Sequence, residues 1–224
     1  MATQATSPAG RREPLSRAKV LRTAMAVADE GGLETLTMRT LGQELGVGPM
    51  AVYRHVANKD DIVDGIVDLV FDEIGPPTAG ASWKAAMRER AISVRDALML
   101  HRWAIGLLES RRNPGPANLR HHDAVIGNLL AAGFDMAMAA HAYSLLDSYI
   151  YGFALTQMSL PFENSAEIAE VAESMLKPFP LNAYPNLAAF ITEHAMKPGY
   201  DYADEFEYGL DVILDGLERD LATA

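Results

Sequence analysis

The stretch Leu36-Thr37-Met38-Arg39-Thr40-Leu41-Gly42-Gln43-Glu44-Leu45-Gly46-Val47-Gly48-Pro49-Met50-Ala51-Val52-Tyr53-Arg54-His55-Val56 decides the fold class. Thr37 is a good N-cap, and Met38, Leu41 and Leu45 behind it repeat at helical spacing. Gly46-Val47-Gly48 then makes a tight turn, and Pro49 stands where a helix best tolerates proline, at its first position. The helix that follows runs only to about His55. Working outward, Ser16 caps an earlier helix that carries Val20, Ala24, Val27 and Ala28 inward and ends at Gly31-Gly32. On the other side Asn58-Lys59-Asp60-Asp61 starts a helix that buries Ile62, Ile66, Leu69 and Val70, with its acids favourably near the N-terminus.

Two short helices joined by a glycine turn and braced by a first helix describe a helix-turn-helix. The second helix of such a pair lies in the DNA major groove with its first turn toward base edges. Here it presents Pro49, Met50, Tyr53 and Arg54 outward, with His55 at its end, while Val52 and Val56 face the core. Arg54 has the paired donors that guanine accepts, and Tyr53 and Lys59 reach phosphates. Thr37, with the free amides of its helix start, is placed for another phosphate, and Arg39 for backbone or base. The plainer alternative for any one of these is a solvated residue of a small helical bundle.

Residues 15–75 resemble the DNA-binding domain of the TetR family of transcriptional regulators. The resemblance rests on the stretch 36–47, on Val52-Tyr53-Arg54-His55-Val56 with Asn58-Lys59, and above all on LGVGPMAVYRHVANKDDIVD at residues 45–64. FEYGLDVILDGLERDL, residues 206–221, is similar to the last helix of the subgroup that contains the tetracycline repressor. The resemblance implies an all-helical homodimer that binds a near-palindromic operator in double-stranded DNA and leaves it on binding a small effector. It implies phosphate contacts for Thr37, Tyr53 and Lys59, and base-facing positions for Arg39 and residues 49–54, with His55 at their edge. Gly48, Pro49 and Met50 replace more polar side chains of the tetracycline repressor, which shifts base reading toward Arg39, Arg54 and apolar contacts with thymine methyls.

The expected organisation is a polar arm at 1–14, the helix-turn-helix domain at 15–75 and a helical effector-binding and dimerisation domain at 81–224. Gly75-Pro76-Pro77-Thr78-Ala79-Gly80 is the junction. In the body, Ser82 caps a helix to about Leu100. His101-Arg102-Trp103 starts a shorter one, and a third runs from about Asn118 to Ala132. Asp135 caps the longest, Met136–Ser159, which is apolar on nearly every side and expected to be buried. Asn164 and Glu167 form a capping box for a helix to Leu176. Residues 178–203, rich in proline, hold at most one short helix. The last helix carries Phe206, Leu210, Ile213 and Leu217 on one stripe, with Gly209 and Gly216 close by. This is the expected dimer seam, paired with either Met136–Ser159 or 164–176. The alternative is packing inside one subunit.

His101, Trp103, His122, Asp147, Tyr151 and Gln157 are polar groups in apolar company and form the expected effector pocket, with His121 and His141 nearby. Met99, Met136, Met138 and Met158 offer an adaptable lining. Each polar group alone also reads as a satisfied buried side chain. His121, His122 and His141 lack the H-x-x-x-H spacing or fixed carboxylate of a metal site, so no metal and no cofactor is expected. No glycine-rich phosphate loop or nucleophile elbow is present, and no catalytic constellation emerges. The 224 residues include no cysteine and no run of about 18 apolar residues, which fits a cytoplasmic protein and gives no membrane span.

The net charge of −11 is unevenly spread. Residues 1–60 hold eight Lys/Arg against six Asp/Glu, so the acidity lies in the body, away from the DNA-reading head. The rival reading is a helical small-molecule binding protein or enzyme whose head contacts another protein. An activator shares the fold of a repressor.

Overall fold

The computed structural model describes residues 14–78, 80–162, 167, 171, 173–174 and 183–223. The expected arm at 1–14 therefore lies outside the described residues apart from Pro14, as does most of the expected 164–176 helix, including Asn164. Among the described residues the chain is helical, with no strand. It divides into two compact units, Met1–Val67 and Asp68–Ala224, so the division runs through a helix and residues 75–80 lie in the second unit.

The first unit contains α1 (Arg17–Gly31), α2 (Met38–Leu45), α3 (Pro49–Val52) and the first half of α4 (Lys59–Ile74). Ser16 Oγ accepts from the Lys19 amide at 3.2 Å to cap α1, and Gly32 at φ 78° ends it. Val20, Ala24, Leu36, Leu41, Val52, Ile62 and Ile66 form the centre of its core. Thr37 caps α2 by accepting from the Thr40 amide at 3.0 Å, and Gly46 closes it in the left-handed region at φ 67°.

The turn between α2 and α3 is held by the Val47 amide donating to the Gly42 carbonyl at 2.8 Å. A Cβ on Gly42 would stand 2.8 Å from the Val47 carbonyl oxygen and 3.3 Å from the Pro49 nitrogen. Both obstacles are backbone, so the turn has to open to admit a methyl group. Gly42→Ala is expected to destabilise the first unit by about 1–3 kcal/mol, as overpacking does. Urea unfolding followed by circular dichroism checks this, and unchanged stability would show that the turn yields freely.

The second unit contains the rest of α4, α5 (Trp83–Leu100), a single 3₁₀ turn at Arg102–Ala104, α6 (Pro116–Ala131), α7 (Met136–Ser159), α8 (Pro185–Phe190) and α9 (Asp204–Thr223). α8 continues into a π turn at Ile191–Ala195, closed by the Met196 amide on the Ile191 carbonyl at 2.9 Å. Ser82 and Asp135 cap α5 and α7 as their sequences predict, accepting from the Ala85 and Met138 amides. The expected helix from His101 is only the 3₁₀ turn, because Gly106 takes φ 76° and diverts the chain.

α6 starts earlier than expected, at Pro116, and its N-cap residue Gly115 has no side chain to cap with. Asp68 on α4 does so instead, its Oδ1 accepting from the Asn118 amide at 2.9 Å. Arg120 also donates to Asp72 at 3.0 Å, and Ser93 to the Ile74 carbonyl at 3.0 Å. The second half of α4 is thus bonded to α5 and α6.

Within one chain α7 buries a single face, Ala139, Ala142, Leu146, Asp147, Ile150 and Ala154, and leaves Met136, Leu145 and Leu155 exposed. The expectation that it is enclosed on nearly every side does not hold for the subunit alone. On α9, Phe206, Leu210 and Leu217 are buried, with Leu214, in the subunit's own core. Phe206 stacks on Tyr149 at 5.5 Å and lies under Arg95. Three residues expected at a dimer seam therefore already have their apolar surface covered. Gly209 is half-buried, and a Cβ there would run into the Tyr149 hydroxyl oxygen. Ile213 and Gly216 are half-buried, and Tyr208 and Val212 are exposed beside them. Salt bridges from Lys84 to Asp215 and Glu218, and from Arg88 to Glu207 and Asp211, occupy the α5 side of α9.

Candidate nucleic-acid interface and effector site

In the first unit Thr37, Arg39, Pro49, Met50, Tyr53, Arg54 and Lys59 are all exposed and His55 is half-buried. Met50, 75% exposed, is a large apolar side chain held in water at the start of a helix whose Val52 is fully buried. The α turn at Pro49–Val52 extends through hydrogen bonds from the Tyr53, Arg54, His55 and Val56 amides to the carbonyls of Pro49, Ala51 and Val52. Tyr53 and Arg54 thereby share the outer face with Met50. Among the described residues no side-chain hydrogen bond ties Arg39 or Arg54, so both guanidinium groups keep their donors for a ligand.

Two of the groups have structural duties. The Thr37 hydroxyl accepts from the Thr40 amide and lies 2.8 Å from the Thr40 hydroxyl, so its capping bond leaves one lone pair for further use. Lys59 Nζ donates to the Leu33 carbonyl at 2.5 Å, which fixes the α4 start to the α1–α2 connection. An ammonium has three donors, so two remain.

No sequence motif singles out Arg17 and Asp61, which hold the chain just after α3. Arg17 makes a forked pair with Asp61 at 2.6 and 3.0 Å and also donates to the His55 carbonyl at 3.2 Å. Asp61 accepts in addition from the Ala57 amide at 2.7 Å. The Arg17 hydrogen bonds hold the Asp61 carboxyl below the usual carboxylate value. α1, the end of the α3 segment and α4 are locked together by one charge pair.

In the second unit the polar cluster centres on Arg90, a residue that no sequence motif singles out. Its side chain is buried at 2% exposure and pairs with Asp147, Nη2 to Oδ1, at 2.7 Å. Arg90 Nε donates to His121 Nε2 at 3.0 Å, and His121 Nδ1 lies 3.0 Å from the Gly75 carbonyl oxygen. A guanidinium only donates and a carbonyl only accepts, so His121 carries its proton on Nδ1 and is neutral. Burial, aided by the Arg90 charge, pushes His121 down to about 4, in agreement with that tautomer. Arg90 also stands over the Tyr143 ring at 5.6 Å.

Tyr151 donates to Glu109 Oε1 at 2.8 Å, and His122 Nε2 stands 3.5 Å from Glu109 Oε2. The His122 contact holds Glu109 below the usual carboxylate value, and burial raises the Tyr143 and Tyr151 phenols above theirs. Glu109 and Tyr151, with Leu98, Ile105, Gly106, Leu108, Gly152 and Leu155, line a cavity of about 250 Å³. Of the expected pocket residues the structure brings together Asp147, Tyr151 and His122. His101 is instead committed to Glu73 at 2.9 Å, with Trp103 beside it at 6.0 Å between rings, and Gln157 accepts from Arg95 at 3.1 Å. His141 is exposed. The cavity lining is leucine and isoleucine, not the expected methionines.

Among the described residues no group of three His, Asp or Glu is arranged to hold a metal ion, and no helix is long and apolar enough to cross a membrane.

Comparison with known proteins matches both units. Residues 20–66 match the family of bacterial regulatory proteins named tetR, and residues 76–221 match the tetracyclin repressor-like C-terminal domain. The HTH-type transcriptional repressor DrrR1 of Streptomyces coeruleorubidus is 29% identical over 218 residues, spanning 93% of this chain and 79% of that one. Tetracycline repressor protein class C of Escherichia coli is 28% identical over 210 residues, spanning 92% and 91%. Among solved structures, apo ActR from Streptomyces coelicolor superposes with a TM-score of 0.74 at 27% identity, covering 95% of this chain and 99% of that one. ActR in complex with actinorhodin gives 0.72 at 27% identity, covering 93% and 99%. With a matched DNA-binding unit and a matched C-terminal domain, the chain belongs to the tetR family of bacterial regulatory proteins.

Proposed function

We propose that this protein is a DNA-binding transcriptional repressor that leaves a palindromic operator when a small molecule occupies its second unit. The observation that carries the reading is the outer face of α3. Met50, Tyr53 and Arg54 stand exposed on a short helix that buries Val52 and Val56 and packs against α2. That is the arrangement with which a recognition helix enters a major groove. Arg54 and Arg39 read bases, Pro49 and Met50 supply apolar contact to thymine methyls, and Thr37, Tyr53 and Lys59 hold phosphates, with His55 at the edge. ActR, which this chain resembles over nearly its full length, is solved with actinorhodin bound, which supports a small-molecule ligand for the cavity here.

The protein acts as a homodimer in the cytoplasm and as a regulator, without a catalytic step or cofactor. Its domains are the helix-turn-helix domain at 15–75 and the effector and dimerisation domain at 81–224. The dimer seam runs along the outward side of α9, through Tyr208, Val212, Ile213 and Gly216, with the exposed Leu145 side of α7. Two such subunits place recognition helices about 34–36 Å apart, one turn of DNA.

Arg54→Ala is expected to weaken operator binding by about 1–3 kcal/mol and to relax preference at one base position. Lys59→Ala is expected to weaken all duplexes alike and to lower the salt dependence by about one charge. Fluorescence anisotropy on matched and mutated duplexes separates the two. Equal losses for both variants on every duplex would refute this division of roles.

A further inference from the structure

Tyr143, Asp147, Tyr151 and Leu155 follow one another at four-residue spacing and form one stripe along α7. Its Tyr151–Leu155 end lines the cavity of about 250 Å³, whose other walls include Leu98, Ile105, Leu108 and Glu109. Its other end carries polar atoms with hydrogen-bonding capacity to spare. Arg90 Nη1, the Tyr143 hydroxyl, Asp147 Oδ2 and His122 Nδ1 are buried and make no well-formed hydrogen bond among the described residues, although the Tyr143 hydroxyl lies near enough to the Asp147 carboxylate to feel it. Buried polar atoms in folded proteins are nearly always satisfied, so four orphans in one cluster are exceptional.

The chemistry of these atoms restricts what meets them. Arg90 Nη1 and the Tyr143 hydroxyl offer protons, Asp147 Oδ2 accepts one, and His122 Nδ1 does either. The two full charges at the centre already neutralise each other, since Arg90 and Asp147 are paired at 2.7 Å. An anionic group brought here faces Asp147 and Glu109, and a cationic group faces Arg90. The anion finds no free cation, and the cation finds only Glu109, whose two oxygens are already engaged by Tyr151 and His122, so either one leaves its hydration behind for little in return. An uncharged hydroxyl or carbonyl function matches both kinds of open position without that cost.

We propose that the effector is a compact apolar body, lying against Leu98, Ile105, Leu108 and Leu155, that ends in an uncharged hydroxyl or carbonyl head bonded within the Arg90–Tyr143–Asp147–His122 cluster. The inference rests on the reading of the protein as an effector-responsive regulator. The head engages where Tyr151 and Glu109, now bonded to each other, separate the apolar cavity from the polar cluster.

The test uses four probes of one shape on the full-length protein at neutral pH: phenethyl alcohol, phenylacetate, phenethylammonium and ethylbenzene. Calorimetric titration is expected to show the alcohol binding at least about tenfold more tightly than either ion or the hydrocarbon, a difference of about 1.4 kcal/mol. Tyr143→Phe is expected to weaken the alcohol alone, about fivefold, the usual worth of one hydrogen bond. The proposal is overturned if either ion or the hydrocarbon matches the alcohol, if none of the four saturates, or if Tyr143→Phe changes nothing. Operator affinity is followed in the same samples. Selective binding of the alcohol with unchanged operator affinity would refute effector release and leave the head chemistry standing.

Discussion

Arg90→Met is expected to lower the unfolding free energy by about 3–5 kcal/mol, the cost of leaving a buried charge without its partner. Asp147 is buried with Arg90 at 2.7 Å, and its other oxygen makes no well-formed hydrogen bond among the described residues, with only the neutral Tyr143 hydroxyl near the carboxylate to compensate. The same change removes the donor to His121 Nε2 and the cation above the Tyr143 ring. The double variant Arg90→Met with Asp147→Leu is expected to recover most of the loss, because paired charges replaced together by apolar groups cost little. Urea unfolding of the three proteins decides it. A single variant as stable as the parent would mean that water reaches Asp147, and a double variant no better than the single would place the loss in packing.

Stability is also expected to fall as the pH drops from 6.5 toward 4, by about 3 kcal/mol in total, through His121 alone. Its folded-state value is depressed from 6.5 to about 4 by burial and by Arg90, and it sits between Arg90 and the Gly75 carbonyl with His122 beside it. Between those two pH values the unfolded chain binds a proton that the folded chain refuses, so protonation favours unfolding. The contribution is complete above about 6.5 and is lost on the way down to about 4. The depressed carboxyls, Asp61 and Glu109, act on the acid side of this window, below their ordinary values. His121→Gln keeps a donor for Gly75 and removes the titration. Unfolding free energies at several pH values between 7 and 4 are expected to converge for parent and variant at the acid end. A constant difference across the range would contradict the assignment.

The head was legible because each of its features is local. Thr37 caps, Gly46 turns left-handed, Pro49 opens α3, and Val52 and Val56 point inward, all within a few residues of one another. Arg17 with Asp61 was not legible, since a basic residue at one helix start says nothing of a carboxylate 44 positions later. In the body the stripe on α9 was recognised, yet a stripe does not say what covers it. Phe206 found Arg95 of α5 and Tyr149 of α7 in its own chain, and Leu210 is buried there with it. Arg90 was hidden among Arg88 and Arg95 on the same helix. The available signal was its place in the stripe of Met87, Val94 and Leu98, all buried, where a charge is out of keeping. Glu109 follows the 3₁₀ turn, in a segment where no helical period exists to show which way a side chain faces.

Whether α3 reads DNA is the claim on which the rest depends. Selection of bound sites from a random duplex library, repeated at two salt concentrations, tests it most directly. The account predicts a palindrome with half-sites about one helical turn apart, and an affinity that falls steeply as salt rises. Recovery of no sequence above background, or binding indifferent to salt, would contradict it and leave α3 without its role.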